Sequence, residues 1–132
     1  MKVEISNGEL VDKVTILQIK SEKIFDPNKL RNIRHEFILL YNSMLSLGID
    51  ENSEEFIKLK EVNLKLWEIE EQIREKEQKS EFGNEFIALA RSVYINNDIR
   101  AQIKRKINET THSELIEEKE YAKYKSHGSD NA

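Results

Sequence analysis

The residues best equipped for chemistry lie on one stripe of one predicted helix. Projected at about 100° per residue, Asn96, Asn97, Arg100 and Lys104 continue the line set by Phe86, Leu89 and Val93. An apolar stripe thus turns polar and basic halfway along. In a continuous helix, Arg100 and Lys104 would face inward and offer charge and directed hydrogen bonds to a carboxylate or phosphate. The competing reading is structural. Asn96-Asn97-Asp98 are natural cap residues, and a break there would start a new helix whose apolar face is rotated onto Ile99, Ile103 and Ile107. The break is the first expectation.

A second polar seam accompanies the first. Asn63, Glu70, Arg74 and Glu77 run beside another apolar stripe, with Trp67 at its edge. If the two helices form a hairpin about Gly83, Glu70 comes near Arg91 and Tyr94, and Asn63 near Arg100. Facing seams of this kind either fix helix register as a satisfied polar network or line a site. In a site, Glu70 and Tyr94 would be hydrogen-bonding or acid–base groups and Lys20, Arg74, Arg91, Arg100 or Lys104 would clamp an anion. Glu70 and Arg74 also have the i,i+4 spacing of an ordinary helix ion pair.

Other chemistries find less support. His35, His112 and His127 have no metal-ligand spacing, and the E-x-x-H pairing of di-iron bundles is missing, so no metal is expected. There is no cysteine, which excludes disulfides, thiolate ligands and a Cys nucleophile. No Gly-rich phosphate loop or nucleophile elbow is present, and no cofactor is expected. The acidic run through Glu68, Glu70, Glu71, Glu75 and Glu77 reads as a solvated face. The basic group Arg100, Lys104, Arg105 and Lys106 is followed by five glutamates between Glu109 and Glu120, and the net charge is −4, so nucleic acid is not an expected partner.

The elements that must position these residues are helical. With one Pro and four Gly in 132 residues, breaks are few and elements long. Ser6-Asn7-Gly8-Glu9 has the spacing of a capping box and opens a helix to about Phe25. Leu10, Val14, Leu17 and Ile24 share one of its faces, while Val11, Ile16 and Ile19 lie elsewhere. A helix apolar on several sides is central, or buried at a subunit contact. Asp26-Pro27 caps a second helix, which ends before Gly48. A third runs from Glu54 to Lys79 with the heptad-like seam Leu59, Val62, Leu66, Ile69 and Ile73. A fourth helical stretch begins near Glu85 and reaches Ile107. Asn108 to Ser113 is a predicted break, and Thr111-x-x-Glu114 opens a short last helix to about Tyr124. The expected fold is all-α, an antiparallel helical bundle of four to five long helices in a single domain over residues 1–124. Residues 125–132 are read as a polar, frayed tail. Neither a leader-like apolar run nor the roughly 20 apolar residues of a bilayer span occurs, so the expected location is cytoplasmic.

Several segments carry a family resemblance. They are Gly8-Glu9-Leu10-Val11-Asp12-Lys13-Val14-Thr15-Ile16-Leu17 with Ile19-Lys20, then Leu66-Trp67-Glu68-Ile69-Glu70 with Ile73-Arg74. Phe86 to Tyr94 with Asn97-Asp98 and Arg100-Ala101 follows, and then Lys104 to Asn108 and Glu117-Glu118-Lys119 with Tyr121. From Gly8 to Tyr124 the chain resembles a bacterial family of short helical proteins defined as a domain of unknown function, number six one six five. The resemblance implies no activity. It implies an association with sugar-transfer or surface-polysaccharide systems, and it draws attention to Lys20, Glu70, Arg74, Arg91, Tyr94, Asn97, Asp98 and Arg100.

Two functions follow from different classes. One is a non-enzymatic interaction or scaffold module, a homo-oligomer or partner-binding protein. The other is a helical-bundle binder or enzyme for a small anionic metabolite, held by the cluster Lys20, Glu70, Arg74, Arg91, Tyr94, Asn97, Asp98, Arg100 and Lys104. They separate on whether these side chains converge in one cleft.

Overall fold

Ser6 starts the first helix. Its hydroxyl accepts from the Glu9 amide at 3.1 Å, as the capping spacing predicts. The reciprocal arm of the box is not made, because the Glu9 carboxylate turns away to Lys104, 2.6 Å distant. The resulting helix, α1, covers Asn7–Lys23. Asp26 accepts from the amides of Asn28 and Lys29 and opens α2, Pro27–Leu45. The chain turns through Gly48, whose φ of 79° lies where only glycine is unstrained. Two long helices follow, α3 (Glu54–Gln78) and α4 (Asn84–Thr110). The computed structural model describes residues 1–124, is all-α and contains no strand among them. The tail reading for 125–132 falls outside the described residues.

The predicted break at Asn96-Asn97-Asp98 does not occur. α4 runs straight through it. Asn96 is buried and spends its side-chain amide on the Ser92 carbonyl of its own helix, 2.8 Å away, so it acts as no cap. Asparagine costs a helix interior only tenths of a kcal/mol, roughly 0.7 at most relative to alanine. Packing on both sides outweighs that. The second predicted break, Asn108 to Ser113, starts later than expected: Asn108 lies inside α4 and is buried, and the helix ends at Thr110.

The predicted last helix is absent. Residues 114–124 have no regular secondary structure. An isolated helix of that length is marginal in water, and its side chains find better partners on α4. Thr111, read as an N-cap, instead ends α4 as its C-cap.

Helix α1 is the central element, packed against α2, α3 and α4. That accounts for its many apolar sides. The core joins Val11 and Val14 of α1 to Met44, Phe56, Leu59, Val62 and Ile107. α3 and α4 run antiparallel, with Lys76 bonded to Glu85 beside the turn and Lys106 facing Glu55 at the far end. At about 1.5 Å per residue they are roughly 37 and 40 Å long against about 26 Å for α1. Their turn-proximal ends therefore project past the core. No residue from Glu70 to Ile95 is buried.

Candidate functional site

The site is built where the start of α1 crosses the end of α4. Gly8 allows the crossing. A Cβ there would stand 2.4 Å from the Lys104 carbonyl oxygen, so any other residue would push the helices apart. The amides that open α1 are used in this contact. Gly8 N–H donates to Asn108 Oδ1 at 2.6 Å, Asn7 N–H to Ser113 Oγ at 2.9 Å, and the Asn7 side chain to Thr111 Oγ1 at 2.9 Å.

One turn along α1, Asp12 is wholly buried. Arg100 grips its carboxylate with two nitrogens, Nε at 2.9 Å from Oδ1 and Nη2 on Oδ2. Asn63 donates to the same Oδ1 and to Thr15 Oγ1, both at 2.8 Å, and Thr15 donates to the Asp12 carbonyl. Lys104 sits beside them, 2.6 Å from Glu9, 3.2 Å from Glu117 and 4.0 Å from Asp12. The hydrogen bond to Asp12 holds the Arg100 guanidinium above its ordinary range. Burial works against the Lys104 ammonium, but the Glu9 hydrogen bond and the surrounding carboxylates outweigh it and raise its pKa. Among the described residues no buried side-chain polar atom lacks a partner.

After Ser113 the chain returns along α4 as a strap. Glu117 reaches Lys104 and Ser6, Glu118 reaches Arg105 at 3.0 Å, and Lys119 reaches Asp98 at 2.7 Å. Tyr124 donates to Asp98 at 2.6 Å and meets the Tyr94 ring edge-to-face, centroids 4.9 Å apart. The Lys119 and Tyr124 hydrogen bonds lower the Asp98 pKa, and the Asp98 bond pushes the Tyr124 phenol up to about 12. Between strap and helix lies a groove of about 800 Å³, lined by Val93, Tyr94, Asn97, Ala101, Lys104 and Tyr121 among others.

The predicted cluster is only partly assembled. Tyr94, Asn97, Asp98, Arg100 and Lys104 line the groove. Arg91 lies along its helix, its Nε 3.4 Å from Tyr94 Oη. Glu70 and Arg74 pair with each other at 3.6 Å and stay exposed, so Glu70 does not reach Tyr94. Lys20 is half-buried in the last turn of α1, away from the groove lining. Asn63 and Arg100 do come together, but through Asp12. Asp12, Thr15, Glu9, Asn108 and Glu117 were absent from the predicted site. For Asp12 a signal existed. A carboxylate between Val11 and Val14, on a helix apolar on several sides, cannot stay in water and must be paired.

Among the described residues no three His, Asp or Glu side chains gather to hold a metal ion, and no helix is long and apolar enough to cross a membrane. The fold and this polar crossing define a small all-α protein of four packed helices with a buried ionic network at its centre. The chain belongs to the family of unknown function DUF6165, whose family model matches residues 1–131. No curated protein and no solved structure matches it.

Proposed function

We propose that this protein is a non-enzymatic interaction module that self-associates through the projecting end of the α3–α4 hairpin. One observation carries the reading. The stretch from Glu70 to Ile95 has no fully buried residue, yet it carries Ile73, Phe86, Leu89 and Val93, half-buried, and Phe82, Ile87 and Tyr94, exposed. Phe82 and Ile87 are each 52% exposed. Two helices cover only one side of each other, so an apolar hairpin end needs further helices to close its core. A second hairpin related by a two-fold axis would supply them, and closed two-fold dimers are the commonest assemblies.

The ionic network supports a structural role for the centre of the molecule. Arg100 is spent on Asp12, Lys104 on Glu9 and Glu117, and Arg105 on Glu109 and Glu118. The alternative reading is a site for a small carboxylate or phosphate metabolite. The groove beside Tyr94 and Lys104 supports it, but a ligand there would have to displace glutamates already matched to the cations. The association with sugar-transfer systems rests on the resemblance alone.

Light scattering across a concentration series tests the proposal. A dimer of the intact chain that becomes monomeric in Phe82→Ser with Ile87→Ser, at unchanged helix content, is the expected result. An intact chain that stays monomeric at high concentration would overturn it.

A further inference from the structure

We propose that the groove on α4 is also a docking site for the strap of a second copy of this chain, so that residues 114–124 exchange between molecules. This contact adjoins the hairpin end at Val93 and Tyr94, extends along α4 to Arg105, and goes beyond the self-association proposed above.

The strap is attached through side chains and not through its backbone. Beyond Ser113, whose amide donates to the Asn108 carbonyl, no backbone hydrogen bond ties it to the helices among the described residues. It is held by side chains alone. None of its apolar side chains enters the core, and Tyr121 is 78% exposed in the closed form. The root of the strap is the left-handed C-terminal turn of α4 at His112, φ 54°, where the chain leaves the helix direction.

The groove nonetheless reads the strap by charge. Lys104 and Arg105 on α4 face Glu117 and Glu118, and Asp98 faces Lys119 and the Tyr124 hydroxyl. The order of signs along the strap is negative, negative, positive, and α4 presents the opposite. This identifies the chemistry of the occupant as an extended acidic segment with a lysine next to its glutamate pair and a tyrosine at its end. The same segment on a second copy satisfies every one of these contacts. Exchange of an identical element through an opened hinge makes no new interface chemistry necessary. In isolation the tethered strap wins by effective concentration, and crowding of copies shifts the balance toward exchange.

The test uses two full-length variants with surface charges reversed. In one the groove is reversed, Asp98→Lys with Arg105→Glu. In the other the strap is reversed, Glu118→Arg with Lys119→Asp. Each alone repels its own strap. Mixed together, each groove meets a strap of opposite charge from the other variant. Fluorescence anisotropy of one labelled variant is expected to show the mixed pair associating at least ten-fold more tightly than either variant with itself. The chain carrying all four substitutions closes on itself again and gives the folding control. Contact through the hairpin end would join all pairs equally, so it cannot imitate this preference. Mixed and self pairs of equal affinity would overturn strap exchange and leave the hairpin proposal untouched. A synthetic peptide of residues 113–124 that fails to bind the strap-reversed variant would overturn it as well.

Discussion

Arg100 and Asp12, 88 residues apart in sequence, form a paired ionic contact in which the carboxylate is fully buried and the guanidinium is partly open to the groove. Removing one partner of such a pair strands the other. Arg100→Met is therefore expected to cost about 3–5 kcal/mol of stability, the usual range when a buried ion loses its counterion. Asn63→Leu removes a neutral donor from the same carboxylate and is expected to cost less, about 1–3 kcal/mol. Urea unfolding of both variants checks the order. A loss in Arg100→Met as small as that of a surface change would show that the pair does not hold the helices together.

Gly8→Ala tests the helix crossing. Its new methyl would overlap the Lys104 carbonyl, a backbone atom that cannot swing away. The expected loss is about 1–3 kcal/mol, the range for overpacking. Alanine normally strengthens a helix relative to glycine by roughly 0.5–1 kcal/mol, so a gain in stability would disprove the close approach.

Two helix ends carry left-handed non-glycine residues, Ser80 after α3 and His112 after α4, each at φ 54°. The conformation costs an L-residue roughly 1–2 kcal/mol. Glycine removes that cost but adds about 0.4–1 kcal/mol of unfolded-state entropy. Ser80→Gly and His112→Gly are each expected to stabilise the chain by about 0.5–1 kcal/mol in urea melts.

The strap is expected to loosen at both ends of the pH range. The folded Asp98 pKa is lowered, so its share of the attachment is complete above its ordinary value of 3.8 and is lost as pH falls through the lower folded value. The Tyr124 pKa is raised from 10.0 to about 12, so its share is complete below pH 10 and is lost as pH rises toward 12. Tyrosinate absorbance should show a late-titrating phenol that Tyr124→Phe removes and Asp98→Asn returns to the ordinary range.

A thermal-shift screen against small carboxylates, inorganic phosphate and sugar phosphates is expected to show no stabilisation. Arg100, Lys104 and Arg105 are already matched by carboxylates. A ligand at a hundred times its dissociation constant would add about 2.7 kcal/mol. A rise of that size would favour the metabolite-binding reading instead.

Much of the helical layout was legible because it depends on local signals. Ser6 and Asp26 are caps, Pro27 fits a first turn, and Gly48 fits a left-handed turn. The seam of Leu59, Val62, Leu66, Ile69 and Ile73 lies on the packed side of α3, with Leu59, Val62 and Ile69 buried. The site was legible in part. Helix periodicity turns Arg100 and Lys104 inward, but it does not pair Asp12, whose partner lies on another helix. Periodicity also points Glu70, Arg74 and Arg91 toward the same seam, but it gives a direction and not a distance, and the hairpin end they occupy has no third helix over it.

The sequence by itself determined the helical class, most of the helix starts and the many-sided apolar surface of α1, since caps, turns and periodicity act within a few residues. The tertiary structure decided the rest. It carried α4 through Asn96-Asn97-Asp98, held residues 114–124 out of a helix, and joined Asp12 to Arg100. In each case the deciding energy comes from residues brought together only by folding. Packing against α1 outweighs the small cost of asparagine in a helix, ion pairs to α4 outweigh a marginal final helix, and a buried carboxylate takes whichever cation the fold sets beside it.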